Sequence, residues 1–356
     1  MKRLFSIALL CCGWVVSGAS AAPESPQTVS NMPQHDVVQS VPPATNRVAR
    51  NIILMIGDGM GSEHMWAAWL CNHGKLNIER LPVIGLVRTP SASDTITDSA
   101  AAATAIACGY KTRNGQLGIT ADGKPLDSIL VHLASTGRQT GLVVTKAITD
   151  ATPAAFYAHC KSRYHFSAIA AALAESGCRV IIGGGSGIVS RAWQEQLRAA
   201  GTLLRLEGHE HCLPASRRGS FLPDAVGEAL RALESHPQGF FLLVEGSQID
   251  VAAHANDLAE LVHETLDFDR AVGVVMEWMQ THPDTLLIVT ADHQTGGLSI
   301  LGGSKENGEV TAAFSTGKHS GVAVPLYAAG AGAAACGGVQ ENTELMPKML
   351  RATQAK

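Results

Sequence analysis

The sequence lacks a concentrated basic stripe: its 27 lysines and arginines are scattered among 31 acidic residues, for a formal net charge of −4. Polyanion binding needs a localised positive field, so nucleic acid is not an expected partner. After Val16 no stretch approaches the roughly 18 consecutive apolar residues a spanning helix needs, and no stable membrane span is expected in the mature chain. No Cys-x-x-Cys spacing occurs, which argues against a redox pair or a thiolate zinc site. No Gly-Lys-Ser/Thr follows the Gly57-Asp58-Gly59 turn, so that turn is not a P-loop. Internal repeats and a second domain boundary are also missing. What remains is 356 residues, 46% of them hydrophobic, enough for a sizeable core.

The chain begins with Lys2 and Arg3, continues through an apolar run from Leu4 to Val16, and reaches the small-residue pattern Ala19-Ser20-Ala21. This is the layout of a signal peptide over residues 1–21, and it implies a periplasmic or secreted product. Its removal leaves Cys71, Cys108, Cys160, Cys178, Cys212 and Cys336 in a compartment that permits disulfides. Cys160 with Cys178 and Cys212 with Cys336 are candidate pairs, while Cys108, ending an alanine-rich helical run, reads as a buried free thiol. Residues 22–45 are rich in Pro, Ser, Gln and Val without periodicity, which reads as an extended linker. The folded domain is expected over residues 46–356.

Within it, short β-rich runs alternate with helical stretches. The runs are 51–56, 83–87, 141–145, 179–182, 240–244, 286–290 and 322–327. Such alternation predicts a three-layer α/β/α sandwich with a mostly parallel central sheet. Several runs are apolar throughout, as strands covered on both faces are; 83–87 suits an edge or antiparallel strand. Ligands of open sheets gather beyond the carboxyl ends of the strands, and polar residues are concentrated there.

Six segments carry this polarity. Gly57-Asp58-Gly59-Met60-Gly61 sets a carboxylate among glycines that let an ion approach, although such a turn is often structural. Thr97-Asp98-Ser99 leads into a run of alanines; it is either an ordinary helix cap or a phosphate-binding helix start with Ser99 as nucleophile. Asp150-Ala151-Thr152-Pro153 precedes Arg163, either a surface arginine or a two-pronged phosphate ligand. Glu245 ends the fifth strand run, and Asp250 and His254 share one helical face, as a surface pair or as metal ligands. Asp292-His293 ends the sixth, and His319 lies in a loop before the seventh. Mixed N/O donors suit zinc, whereas the oxygen-only set of Asp58, Thr152 and Glu245 suits magnesium.

In this order the segments resemble the signature of the alkaline phosphatase family, most closely at Asp58-Gly59-Met60-Gly61, Asp98-Ser99-Ala100 and Thr290-Ala291-Asp292-His293. The resemblance runs from about Asn51 to Tyr327. It implies one zinc on Asp250, His254 and His319, and a second on Asp58, Asp292, His293 and the Ser99 oxygen. It further implies magnesium on Asp58, Thr152 and Glu245, with Asp150 supporting that ion through water and Arg163 clamping phosphate. The implied reaction is hydrolysis of phosphate monoesters through a phosphoserine on Ser99, in a protein expected to form a homodimer.

Two departures stand out. Val251 follows Asp250, where familiar bacterial members carry a lysine that reaches toward the magnesium-site aspartate; Asp150 is therefore expected to lack a cationic partner, with altered phosphate affinity or pH optimum. The stretches 182–240 and 293–319 are short for the family, so a more open site is expected. A phosphodiester or another ester is the rival substrate for such a two-metal site, though Arg163 favours a monoester. A binding protein without turnover is the rival of another class, and it has no need of Ser99. His209-Glu210-His211-Cys212 lies outside the signature and reads as a polar surface loop rather than an accessory metal site.

Overall fold

The protein is described from a computed structural model covering residues 25–354. The segment expected to be a signal peptide lies outside the described residues. A ten-stranded sheet forms the centre. Its strands lie in the order Gly338–Glu341, Val83–Arg88, Val324–Ala331, Thr285–Thr290, Asn51–Gly57, Phe240–Gly246, Gln139–Ala147, Val180–Gly184 and Leu203–Glu207, with Ala44–Thr45 pairing beside Val324–Ala331. Strands from Leu203–Glu207 across to Thr285–Thr290 run parallel to one another; Val324–Ala331 is antiparallel to Thr285–Thr290 and Val83–Arg88 and parallel to the short Ala44–Thr45. The fold is thus the expected α/β architecture with a mostly parallel sheet.

All seven strand runs read from the sequence are strands. The central ones are buried at every residue, as uninterrupted Leu, Ile, Val and Phe demand when helices cover both faces. Phe221–Leu233 shows how a covering helix is written: Leu222, Ala225, Val226, Ala229, Leu230 and Leu233 are buried at three- and four-residue intervals. It packs against the long helix Leu258–Trp278. Val83–Arg88 alternates instead, with Gly85 and Val87 buried between exposed Ile84 and Leu86.

Residues 25–45 are extended but docked. Gln27–Val29 pairs antiparallel with Glu309–Phe314, which in turn pairs with Leu298–Ser304 in a three-stranded sheet. His35 reaches Asp269 at 2.7 Å, and Met32 is buried. A linker assignment from composition misses this, because the pairing partner lies almost 300 residues away. The disulfide expectation is also corrected: Cys71, Cys108, Cys160, Cys178, Cys212 and Cys336 are each buried and unpaired. They serve as small apolar side chains.

Leu54 sits fully buried at the middle of the sheet, between Leu243 and Ile288 in register. Leu54→Ala is expected to cost about 2–5 kcal/mol through the cavity it leaves. Equilibrium denaturation checks this, and a loss under about 1 kcal/mol would contradict close packing at the sheet centre.

Candidate active site

Four adjacent central strands, Thr285–Thr290, Asn51–Gly57, Phe240–Gly246 and Gln139–Ala147, end side by side. Their carboxyl ends deliver Asp292 and His293, Asp58, Glu245 with Asp250, and Asp150. Asp58, Glu245, Asp250, Asp292 and His293 are all buried. Gly59 makes the crowding feasible: its φ is +72°, and a Cβ there would lie 2.7 Å from Thr295 Oγ1 and 3.0 Å from Asp250 Oδ1. Its N–H donates to Asp292 Oδ1 at 3.0 Å.

Three imidazoles point one nitrogen each into this space. His254 Nδ1 lies 2.8 Å from the Gly317 carbonyl and His319 Nδ1 lies 2.9 Å from the Thr97 carbonyl, so both nitrogens carry hydrogen. Thr295 Oγ1 donates to Asp250 Oδ1 at 2.6 Å and is left to accept from His293 Nδ1 at 3.2 Å. Each Nε2 is therefore a lone pair facing inward. His254 Nε2 and His319 Nε2 stand 3.1 Å apart, with Asp250 Oδ1 at 3.3 and 3.6 Å. His293 Nε2 lies 3.2 Å from Asp292 Oδ2, 3.6 Å from Asp58 Oδ1 and 3.2 Å from Ser99 Oγ.

Two groups, Asp250–His293–His319 and Asp58–Asp292–His293, each gather their donor atoms within 4.8 Å of one another. Both oxygens of Asp58, Oδ2 of Asp292 and Oε2 of Glu245 are buried without a hydrogen-bond partner. Lone pairs facing lone pairs, beside orphaned carboxylate oxygens, are satisfied by cations. The residues present fit divalent metal ions. Thr152 is buried in the short helix Ala151–Ala154, and no side-chain hydrogen bond links it to Asp58 or Glu245. His254 is the most exposed member, at 40% of its side chain.

Ser99 opens the helix Ser99–Cys108, all ten residues of which are buried. Asp98 is the cap, accepting from Ala101 N–H at 3.0 Å and Gly115 N–H at 2.9 Å, which leaves the Ser99 hydroxyl free of capping duty. Arg163 lies beside it, 3.4 Å from Asp98 Oδ2 and 3.3 Å from Asp150 Oδ1. The other oxygen of Asp150 lies 2.6 Å from Lys146 Nζ, so Asp150 has two cationic partners despite Val251. The expectation of an unpaired Asp150 is corrected: a lysine four residues upstream supplies the charge, and Val251 is exposed on the helix Gln248–His254.

Electrostatics follow from this packing. Burial, then Asp250 and Asp292, push the Asp58 carboxyl far above the usual carboxylate range, with Lys146 in opposition. Burial raises Glu245 to about 8 and lowers His293 to about 3. At Asp150 burial is outweighed by Lys146 and then Arg163, which hold it well below the usual range.

Lys146, Thr295 and His64 were not singled out by sequence reasoning. His64 accepts from Gly61 N–H at 3.1 Å and donates to the Thr295 carbonyl at 3.0 Å, tying the Asp58 turn to the Thr295 segment. Lys146 had one visible signal, a lone charge ending an apolar strand. The run from His209 to Cys212 forms no metal-ligand group among the described residues; His211 Nδ1 accepts from Ala147 N–H at 3.1 Å.

A family model described as alkaline phosphatase matches residues 49–184 and 215–313. The chain belongs to the alkaline phosphatase family. It is 35% identical to alkaline phosphatase 4 of Bacillus subtilis over 72% of this chain and 64% of that one. It is 31% identical to the streptomycin-6-phosphate phosphatase of Streptomyces griseus, covering 83% and 89% of the two chains. Among solved structures, a mutant of the TAB5 alkaline phosphatase with magnesium bound in its M3 site superposes with a TM-score of 0.81 at 32% identity, covering 88% of this chain and 100% of that one. The chain spans 55–64% of the length of five curated family relatives.

The buried carboxylates give this family member a pH signature when metal is removed. Folded Glu245 keeps its proton to about pH 8, whereas an unfolded glutamate releases it near 4.5. The stability contributed by that proton is complete below about 4.5 and lost as pH rises through about 8. A metal ion bound beside Glu245 would take the proton's place. In thermal unfolding, the gap between chelated and zinc- and magnesium-loaded protein is expected to be wider at pH 9 than at pH 6; a gap independent of pH would overturn this account.

Proposed function

We propose that the protein hydrolyses phosphate monoesters to an alcohol and inorganic phosphate, with Ser99 as nucleophile. The observation that carries this reading is the Ser99 hydroxyl. It is free of capping at a buried helix start and lies within hydrogen-bond distance of His293 Nε2, at 3.2 Å, with Arg163 and two cation-seeking clusters nearby. Family membership supports the same reaction class.

We assign the residues to three ions, as the family resemblance implies. Asp250, His254 and His319 would hold one zinc, and Asp58, Asp292, His293 and the Ser99 oxygen a second. Asp58, Thr152 and Glu245 would hold magnesium, in keeping with the orphaned Asp58 and Glu245 oxygens and with the magnesium in the TAB5 relative. Such ions, when bound, supply Lewis-acid stabilisation of the negative charge that builds on the attacking and leaving oxygens.

Arg163 holds two non-bridging phosphoryl oxygens through its planar fork, and the free N–H groups at the start of the Ser99 helix face the same charge. Asp98 and Asp150 hold the guanidinium by one long contact each. Ser99 Oγ attacks phosphorus in line; the P–O bond to the alcohol breaks as the Oγ–P bond forms, and the alcohol departs protonated. Water then enters from the vacated side, cleaves the phosphoserine and releases inorganic phosphate.

The basic start, apolar run and small-residue site at the N-terminus support export to the periplasm or beyond. Among the described residues no helix is long and apolar enough to cross a membrane. Residues 46–356 then constitute the catalytic domain, which the family leads us to expect as a homodimer.

The test is turnover of an aryl phosphate, a bis-aryl phosphate and an aryl sulfate by zinc- and magnesium-loaded protein, beside Ser99→Ala and chelated enzyme. The monoester is expected to be the preferred substrate, with kcat falling by about 10³-fold or more in Ser99→Ala. Binding of zinc and phosphate without ester hydrolysis at alkaline pH would defeat the proposal. Preference for the diester would move the assignment to that substrate.

A further inference from the structure

Lys146 stands in the site without a task in the reaction described above. Its backbone is pinned on both sides: Thr145 N–H donates to Ser247 Oγ at 3.2 Å, Ser247 N–H donates to Thr145 Oγ1 at 2.9 Å, and Ala147 N–H donates to His211 Nδ1 at 3.1 Å. The strand also slips register against Val180–Gly184 between Val143 and Ala147. Held in this way, the side chain is only 11% exposed, and its Nζ lies 2.6 Å from Asp150 Oδ2 and 3.8 Å from Asp58 Oδ2.

The geometry around Asp150 is a division of one carboxylate between two cations. Lys146 takes Oδ2 at 2.6 Å, and Arg163 Nη2 is left with Oδ1 at 3.3 Å. Arg163 Nη1 meets Asp98 Oδ2 at 3.4 Å, an oxygen that already accepts from Gly115 N–H at 2.9 Å. Both contacts of the guanidinium are long and single. Left to themselves, a guanidinium and a carboxylate close two parallel short bonds, the strongest pairing available to either. In a site 16% exposed at Arg163 and 20% at Asp150, such a pair would compete directly with phosphate for the same donors.

We propose that Lys146 is a positioning residue for phosphate binding: by occupying one oxygen of Asp150 it prevents a two-pronged Asp150–Arg163 pair and keeps the guanidinium fork open to the substrate. This rests on the reading that Arg163 grips the phosphoryl group. A purely structural lysine, present only to neutralise Asp150, would affect stability without selectively affecting phosphate.

The experiment is a double-mutant cycle of Lys146→Met and Asp150→Asn on the zinc- and magnesium-loaded protein, with Lys146→Arg as the conservative variant. Inorganic phosphate affinity is measured by calorimetry, KM and kcat with an aryl phosphate, and melting temperature alongside. Lys146→Met is expected to raise the phosphate Kd and KM about tenfold, with a smaller change in kcat. In the Asp150→Asn background, where no carboxylate remains to capture Arg163, the same change is expected to shift Kd by less than about threefold. Lys146→Arg should stay near wild type.

Equal weakening in both backgrounds would overturn the proposal in favour of a direct charge effect. A lowered melting temperature with unchanged phosphate Kd would reduce Lys146 to a structural residue. Wild-type protein that neither binds phosphate nor turns over a monoester would instead remove the underlying function, an outcome separate from either of these.

Discussion

Four carboxylates, Asp58, Glu245, Asp250 and Asp292, are forced together where water is scarce, and the site is organised around that repulsion. Like charges at close range in a poorly polarisable medium interact by several kcal/mol, and strand order leaves them no way apart. Asn51–Gly57 runs in register with both Phe240–Gly246 and Thr285–Thr290, so Asp58 emerges between its two acidic neighbours. Everything nearby makes the arrangement tolerable to a cation and to little else. Gly59 removes bulk, three imidazoles turn their lone pairs inward, and Lys146 is the nearest permanent positive charge, at 3.8 Å from Asp58.

Ser99 is held by a different principle. Its helix has alanine at six of its ten positions and packs among the short helices Ile129–Ser135 and Ala151–Ala154 and the C-terminal helix Leu345–Ala352. Alanine costs no side-chain entropy in a helix and lets neighbouring backbones approach closely. The helix ends at Gly109, whose φ of +74° closes the last turn. Ser99 is therefore fixed to the core rather than carried on a loop.

Much of this was legible in the sequence because the relevant signals are local. Apolar runs such as Phe240–Val244 declare buried strands, and acids directly after them declare the ligand face. What escaped depends on contacts distant along the chain. The docking of Gln27–Val29 is decided by a partner strand at 309–314, and a stretch rich in Pro and Ser gives no hint of it. Leu203–Glu207 hides its edge-strand character behind Arg205 and Glu207. Lys146 escaped for the opposite reason, lying only four residues before Asp150: from sequence, Val251 suggested a missing cation, because one expects a replacement charge at the same position. The fold supplies it from another strand, since Asp150 needs an ammonium in reach and not one at a given residue number.

The pairing of Gln27–Val29 with Glu309–Phe314 also orders events in time. During synthesis Gln27–Val29 leaves the ribosome long before Glu309–Phe314 exists, and until about residue 314 has emerged it has no strand to pair with. Residues 35–39 can settle early on Asn72, Asn77 and Arg80, whereas Gln27–Val29, with Gln27 on Asn256, closes late around a body that must already be assembling. Vectorial growth thus makes Gln27–Val29 one of the last pieces to find its place.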